Sequence, residues 1–323
     1  MILGENIGSV YSNDRDILKV FSKGKLVWER TPIDYNIRPF TVKAINNTVS
    51  VKISNSFKYS INGNEWVQSD NTNTIQLNKN DIVSIITTNT TQCSIKGLSD
   101  VSGNIMSLIY GDNFIGQTVW LMSGQALASK GFFYKSDIRN AKNLVLPATT
   151  LSERSYENMF AYCDALETAP ALPATTLTYR CYAGMFYHCS HLTTAPELPA
   201  TTLAPYCYEN MFYECDFTTP PALPATTLAP YCYQEMFLGC EYLTTAPELP
   251  AETLVEGCYE YMFYDCPSLE YIKCHATTDI EDGVYAWTEK VKKNGTLVCK
   301  QVNGGKNPLE DYIPSTWTVE YLT

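Results

Sequence analysis

The chain has 323 residues, of which 45% are hydrophobic, enough for two or three domains with buried cores and too apolar for wholesale disorder. Its net charge of −11 is concentrated, because residues 146–273 carry 16 acidic side chains against Arg154, Arg180 and Lys273, a local balance of −13. That sign repels phosphate backbones and argues against nucleic acid as a partner, and no stretch approaches the roughly 20 apolar residues of a membrane span, so membrane insertion is not expected.

The opening Met-Ile-Leu-Gly-Glu-Asn-Ile-Gly lacks a basic leader with an apolar core, so with Met1 as the start no secretory signal is expected. Residues 9–29 alternate apolar and polar side chains around a Lys23-Gly24-Lys25 turn. They predict a hairpin or three-stranded β-patch, within a module spanning 1–31, that offers Val10, Tyr11, Val20, Leu26 and Trp28 for attachment. A patch this small buries little apolar area and would dock on the next domain or on a partner. Residues 35–100 hold alternating runs at 41–44, 49–53, 74–77 and 82–86, separated by Asn-rich turns, and predict a small β-sandwich. Trp66 is expected in its core, a sugar platform being the sharper alternative.

From residue 146 one phrase recurs five times: Leu-Pro-Ala-Thr-Thr-Leu or a near variant, then a pair with Tyr second, then Met-Phe-x-x-Cys. Its opening leucines are Leu146, Leu172, Leu198, Leu223 and Leu249, at steps of 26, 26, 25 and 26 residues. A fixed period in this range predicts a solenoid, whose units bury their apolar faces against one another. In the third copy Cys207, Met211 and Cys215 recur at i, i+4 and i+8, flanked by Tyr208 and Phe212, which predicts a short helix with Pro205 in its first turn. The Thr- and Pro-rich link 192–203 predicts two short strands with Leu192, Leu198 and Leu203 inward and threonines stacked between coils. The 25-residue step has a local cause: the segment after Cys215 is one residue short, and Phe217 takes the leucine place.

Twelve cysteines are present, nine of them in two repeat columns with Ser155 standing where a tenth would be. No Cys-x2-4-Cys zinc spacing occurs, and the columns suit buried thiols assembled in a reducing compartment. Beyond residue 275 the phrase is lost; 280–292 predict a helix with Val284, Trp287 and Val291 on one face, 296–299 and 317–321 predict strands, and the whole reads as a cap.

Chemistry is sparse. There is no phosphate loop, His-Glu-x-x-His or nucleophile elbow, so no catalytic, metal or cofactor-binding residues are assigned and no enzyme activity is expected. His188 and His191 near Cys189 match no common zinc pattern. Among 23 tyrosines, those at 182, 208, 233 and 259 belong to the core column, while Tyr187, Tyr206, Tyr213, Tyr231 and Tyr264 fall outside it and form the candidate binding surface, with packing between coils as the plainer use.

The Met-Phe-x-x-Cys-x-x-Leu core followed by a Pro-bearing link resembles BspA-like, treponemal-type leucine-rich repeats, in the Leu-Pro-Ala-Thr-Thr-Leu variant of gut Bacteroidales and their tailed, crAss-like phages. The likeness extends from the entry segment 101–114 through 269–277 to the closing 313–319, and it departs between 115 and 140, where the repeat columns are missing. Added to the β-patch and the sandwich read above, which itself resembles an Ig-like spacer, it implies a mainly β chain with short helices that continues as a right-handed solenoid over 101–274 with a concave strand face and a C-terminal cap over 275–323. The N-terminal pattern also looks like the opening modules of phage structural proteins. Two functions follow as expectations. One is a non-enzymatic structural and adhesive virion component, assembled in the bacterial cytoplasm, bound to other capsid or tail proteins through its N-terminal part and presenting the repeats to a host-surface glycan or protein. The other is a bacterial cell-surface adhesin, which the missing leader and the unpaired thiols disfavour. A carbohydrate-active enzyme is disfavoured because no segment remains for a catalytic domain. A homo-oligomer is left open, although no heptad or collagen-like tract supports a trimer.

Overall fold

In the computed structural model the described residues are 9–13, 16–22, 25–29, 33–70, 72–88, 90–118, 131–278 and 280–322, with backbone alone for those before 33 and for residue 280. They are mainly β with little helix. The chain divides into two compact units, Met1–Tyr35 and Asn36–Thr323.

The first unit holds three antiparallel strands, β1 (Ser9–Asn13), β2 (Asp16–Ser22) and β3 (Lys25–Glu29), in the order β1-β2-β3. Val10 lies opposite Val20 and Val20 opposite Trp28, while Phe21 faces Leu26 and Tyr11 faces Lys19. The side chains of the five expected attachment residues, the Lys23-Gly24 turn and the opening octapeptide lie outside the described residues.

The second unit opens with β4 (Phe40–Ala44), β5 (Val49–Ile53), β6 (Lys58–Ile61), β7 (Val67–Gln68), β8 (Thr74–Leu77), β9 (Ile82–Ile86), β10 (Cys93–Lys96), β11 (Ser99–Asn104) and β12 (Ile138–Val145). They form a three-stranded sheet, β10-β5-β8, and a six-stranded one, β12-β11-β4-β9-β6-β7. Alternation along β4 and β5 sends Phe40, Val42, Ala44, Val49, Val51 and Ile53 into one buried core. The four strands read from the sequence appear within a residue of their expected bounds. Trp66 does not join the core: it is 45% exposed, with Lys58 Nζ 5.6 Å from its ring centre, because β7 is a two-residue edge strand whose pair Val67–Gln68 is itself exposed.

The larger sheet does not stop where the sandwich was expected to end. β11 pairs antiparallel with β4 on one side and parallel with β12 on the other, and Asn140 of β12 bridges Thr168. Arg139 grips Asp100 across this seam through two hydrogen bonds of 3.0 and 2.8 Å. One continuous hydrogen-bonded surface therefore carries the chain from the sheet into the repeats.

The repeats themselves correct the helix expectation. In the third copy Cys207, Glu209, Met211, Tyr213 and Cys215 each donate their N–H to the carbonyl three residues back. The residues between them, Tyr206, Tyr208, Asn210, Phe212 and Glu214, donate to the following copy, at Pro230, Cys232, Gln234, Met236 and Leu238. A helix would spend every N–H along its own axis. Here every second one is turned outward by a left-handed residue at each fourth position, Tyr206, Asn210 and Glu214, with φ of 58°, 54° and 51°. The result is a ribbon of linked β-turns of period four, half of them with the positive φ at the third residue that a type II turn requires. Two residues of every four point inward, which is why Cys, Tyr, Met, Phe and Cys are all buried in the third copy.

Stacking the ribbons stacks their side chains. Phe40, Phe133, Phe160, Phe186, Phe212, Phe237 and Phe263 form one file with ring centres 5.3–5.9 Å apart. Tyr156, Tyr182, Tyr208, Tyr233 and Tyr259 form a second at 5.6–6.1 Å. Phe217 is buried and packs edge-on against Phe212 and Phe237, filling the leucine place as expected. All twelve cysteines are buried and unbridged. Cys163, Cys189, Cys215, Cys240 and Cys266 each donate Sγ–H to the phenylalanine carbonyl of the preceding copy, at 3.0–3.2 Å. Burial raises these thiols, Cys163 and Cys266 to about 12.

The links hold no strand among residues 146–270. Single parallel bridges join Thr150, Thr176, Thr202 and Thr227 in turn, in place of the two strands expected per copy. Prolines at 196 and 199 and their equivalents remove the N–H groups a ladder needs. Their leucines still point inward, Leu192 and Leu198 being buried and Leu203 partly so.

Both ends continue the ribbon where the phrase has vanished. Phe133 and Lys135 donate to Met159 and Ala161, and Lys135 has φ 55°, so residues 131–136 form a partial pass before the first copy; 119–130 lie outside the described residues. After the last copy, Tyr259, Tyr261, Phe263 and Asp265 donate to Gly283, Tyr285, Trp287 and Glu289, with Ala286 and Lys290 left-handed. The helix expected over 280–292 is thus one turn, α1 (Ile280–Gly283), followed by a sixth pass in which Trp287 packs against Tyr259 and Phe263. A parallel sheet of β13 (Tyr271–Lys273), β14 (Thr296–Cys299) and β15 (Thr318–Tyr321) closes the chain. Among the described residues no helix is long and apolar enough to cross a membrane.

Candidate functional site: the outer face of the turn ribbon

The two outward residues of each four-residue turn form three strips across the stacked copies. The leading strip places Arg154 5.6 Å over Tyr179, Arg180 5.8 Å over Tyr206, and Tyr206 flat on Tyr231 at 4.8 Å and 9°. The Tyr231 ring lies over the Gly257 backbone, where a Cβ would come within 2.1 Å of it. Its hydroxyl donates to Glu256 at 2.7 Å, a bond that moves its pKa up to about 12. The trailing strip stacks Tyr187 on Tyr213 at 4.5 Å and 22°, and His188 on Tyr162 at 4.8 Å and 11°, while His188 Nδ1 sits 2.8 Å from Glu214. Tyr264 stands apart, edge-on to Tyr261 and beneath Lys290 at 4.6 Å.

The five expected surface tyrosines therefore separate into two stacked pairs and one isolated ring. In the pairs, each ring spends a face on its neighbour. What they offer outward is hydroxyls and ring edges, so packing between copies claims part of the surface that sequence reasoning gave to a ligand.

The middle strip carries the charge. Glu157, with a side chain only 2% exposed, receives Arg180 Nε at 2.8 Å and Arg154 Nη1 at 3.3 Å, and Arg180 also pairs with Glu209. Further along the arginines are gone, their places held by Tyr206, Tyr231 and Gly257, while Glu235 and Glu260 remain. Burial, then the neighbouring Glu260, raises the Glu235 carboxyl above its ordinary range; burial also raises Glu260, opposed by a hydrogen bond from Gln234 at 3.1 Å. One end of the face is thus neutralised and the other is not.

Two concavities adjoin the neutralised end. A cleft of about 670 Å³ is lined by Lys96, Lys135, Arg139, Tyr162, Asp164 and His191. Its polar groups are largely engaged: Lys96 donates to the Lys135 carbonyl at 2.6 Å, Lys135 Nζ lies 5.0 Å over Tyr162, and His191 Nδ1 meets the Asp164 carbonyl at 2.6 Å. A smaller notch of about 240 Å³ is cut into the middle strip at the second copy, between Arg180 on one side and Tyr162 and Tyr187 on the other. Among the described residues no cluster of three or more His, Cys, Asp or Glu is placed to hold a metal ion. His188, His191 and His275 each have a separate partner, Glu214, Asp164 and Glu248.

Arg180, Glu157, Asn158, Gly184 and Asn210 were missed as site residues. The signal available was a break in the repeat: the middle pair reads Glu157-Asn158 and Glu209-Asn210 in the first and third copies, but Ala183-Gly184 in the second. Compared with known proteins, the chain matches no family model, no curated protein and no solved structure.

Proposed function

We infer that this chain is a non-enzymatic structural and adhesive component of a tailed-phage virion, built as a BspA-like leucine-rich-repeat solenoid behind an Ig-like sandwich. The N-terminal β-patch is the part that engages a capsid or tail neighbour, and the ribbon face is the part that meets a host-surface glycan or protein. The observation that carries this reading is the thiol file. Five cysteines donate Sγ–H to backbone carbonyls in the core, an arrangement that requires the reduced form, and burial keeps them protonated and inert. Such a core suits assembly in a reducing cytoplasm better than export through an oxidising compartment. A rigid stack whose side chains serve packing inside and polar display outside is support for a binding scaffold over a catalyst.

Mass spectrometry of purified phage particles from the source culture tests it. Recovery of peptides from this chain in fixed ratio to capsid and portal proteins is expected. Absence from particles together with recovery in the cell-envelope fraction would overturn the virion reading in favour of a bacterial surface adhesin.

A further inference from the structure

The notch at the second copy exists because the repeat departs from itself there. Where the first and third copies present Glu157-Asn158 and Glu209-Asn210, the second presents Ala183-Gly184, so two side chains are missing from an otherwise filled strip. Gly184 is in the left-handed region at φ 59°, and a Cβ on it would come within 2.2 Å of Asn158 Oδ1, so the Asn158 amide reaches into the space above the glycine. Asn210 lines the notch from the next copy, and its Oδ1 is buried with no hydrogen-bond partner among the described residues, so a ligand reaches it only by a turn of the carboxamide. Arg180 is held in place by Glu157 and Glu209, and Tyr162 and Tyr187 close the other side.

We propose that this notch is a binding site for a single neutral hexose unit of a glycan. Its volume of about 240 Å³ lies below the roughly 300–1,000 Å³ of drug-sized pockets, which suits one sugar ring. Two carboxylates against Arg180 leave no surplus positive charge, so phosphate, sulfate and acidic sugars are disfavoured. The remaining groups match vicinal hydroxyls. Each hydroxyl both donates and accepts, and here two carboxamides, a guanidinium and a carboxylate line a small space beside two tyrosines. A peptide group, with one fixed donor and one fixed acceptor, matches that mixture less well. This deepens the reading of the ribbon face as the ligand-bearing surface and does not depend on where the protein is assembled.

Saturation-transfer NMR on the full chain tests the site, using the methyl glycosides of glucose, galactose, mannose, fucose, N-acetylglucosamine and N-acetylgalactosamine as probes. At least one is expected to give a saturable signal with Kd on the order of 1 mM. The variant Gly184→Asn refills the notch with the residue that the first and third copies carry there, meeting only the flexible Asn158 side chain. It is expected to fold, since Asn158 and Asn210 occupy the same left-handed position at φ 54°. Its thermal unfolding should match the parent while saccharide affinity falls at least tenfold. Asn210→Gly keeps the left-handed backbone, removes the amide with its unpaired oxygen and is expected to weaken binding several-fold. Silence from all six probes, or equal binding by the refilled variant, would overturn the proposal. Neither result touches the virion reading, which the particle proteomics decides separately.

Discussion

Each copy of the repeat has two halves of similar length and opposite construction. The ribbon half uses its N–H groups alternately within the copy and toward the next, and buries five side chains that stack on their equivalents. In the middle copies the link half is tied to its neighbours by single threonine bridges and interrupted by prolines. Cohesion between copies should therefore reside in the ribbon, with the link acting as a spacer that returns the chain to the start of the next pass. In a stack where each unit touches only its neighbours, a defect in the ribbon weakens two interfaces at once.

The largest expected effect follows from the phenylalanine file. Phe212 is fully buried between Phe186 and Phe237, at 5.7 and 5.9 Å. Phe212→Ala opens a cavity in the middle of the stack and is expected to cost about 3–5 kcal/mol. Chemical denaturation should show this as a large fall in midpoint, with early loss of hydrogen-exchange protection on both adjoining copies. A loss below about 1 kcal/mol would mean that the file is not what binds the copies together.

The next effect separates the two cysteine columns. Cys215 Sγ donates to the Phe186 carbonyl at 3.2 Å, whereas among the described residues no such bond to the preceding copy is made by Cys207, which is equally buried. Valine at either position is larger than the thiol by about one methyl group, a packing cost that the two sites share, so the difference between them isolates the bond. Cys215→Val is expected to cost no more than about 1 kcal/mol beyond Cys207→Val, because a thiol bond is weak and the Phe186 carbonyl still accepts from the Cys189 N–H at 3.1 Å. Equal losses measured by denaturation would show that packing alone accounts for both columns.

Much of this division was readable in the chain. The period implies that the copies stack, the repeat columns mark the inward residues, and the short third step correctly places Phe217. The ribbon was not read as such because an apolar spacing of i, i+4, i+8 was assigned to a helix. A helix drifts by about 40° per four residues, so three such positions with their i+1 neighbours make a broad face; an invariant four-residue spacing fits a four-residue turn better. The left-handed residues gave no warning either, since Tyr206 and Glu214 are not types associated with positive φ, although Gly239, Asp265 and Asn210 in the same columns are. The ends were misjudged for a different reason. Phe132-Phe133 and Trp287 keep the ribbon with other large apolar side chains, so the backbone persists where the wording does not. The notch leaves no mark on the repeated phrase, because the small pair Ala183-Gly184 is what fails to recur.

A pH experiment sharpens the contrast between the two ends of the outer face. The Glu235 carboxyl is raised by burial and then by Glu260, so the folded state holds its proton to higher pH than the unfolded chain does. Such a group destabilises the fold at neutral pH, and acidification through the raised value toward the usual 4.5 restores stability. Glu235→Gln is expected to stabilise at pH 7 by about 0.5 kcal/mol, discounted for its partial exposure, and to make no difference below the unfolded value. Thermal unfolding of both proteins between pH 4 and 7 reads this directly. A destabilised variant at pH 7 would mean that an unrecognised cation already compensates Glu235.

The smallest effects belong to the links, and their smallness is the point of the comparison. Thr202 is exposed and joined to Thr176 and Thr227 by backbone bridges, which alanine retains. Thr202→Ala should therefore cost no more than about 0.5 kcal/mol, the loss of β-branching on a short extended piece. Replacing all four threonines of the file, at 150, 176, 202 and 227, should cost less in total than Phe212→Ala does alone, even though it alters four copies. If the fourfold variant instead unfolds as readily as the single core variant, the threonine hydroxyls contribute order between copies that their geometry does not suggest, and the two halves of the repeat would have to be treated as equal partners in holding the stack.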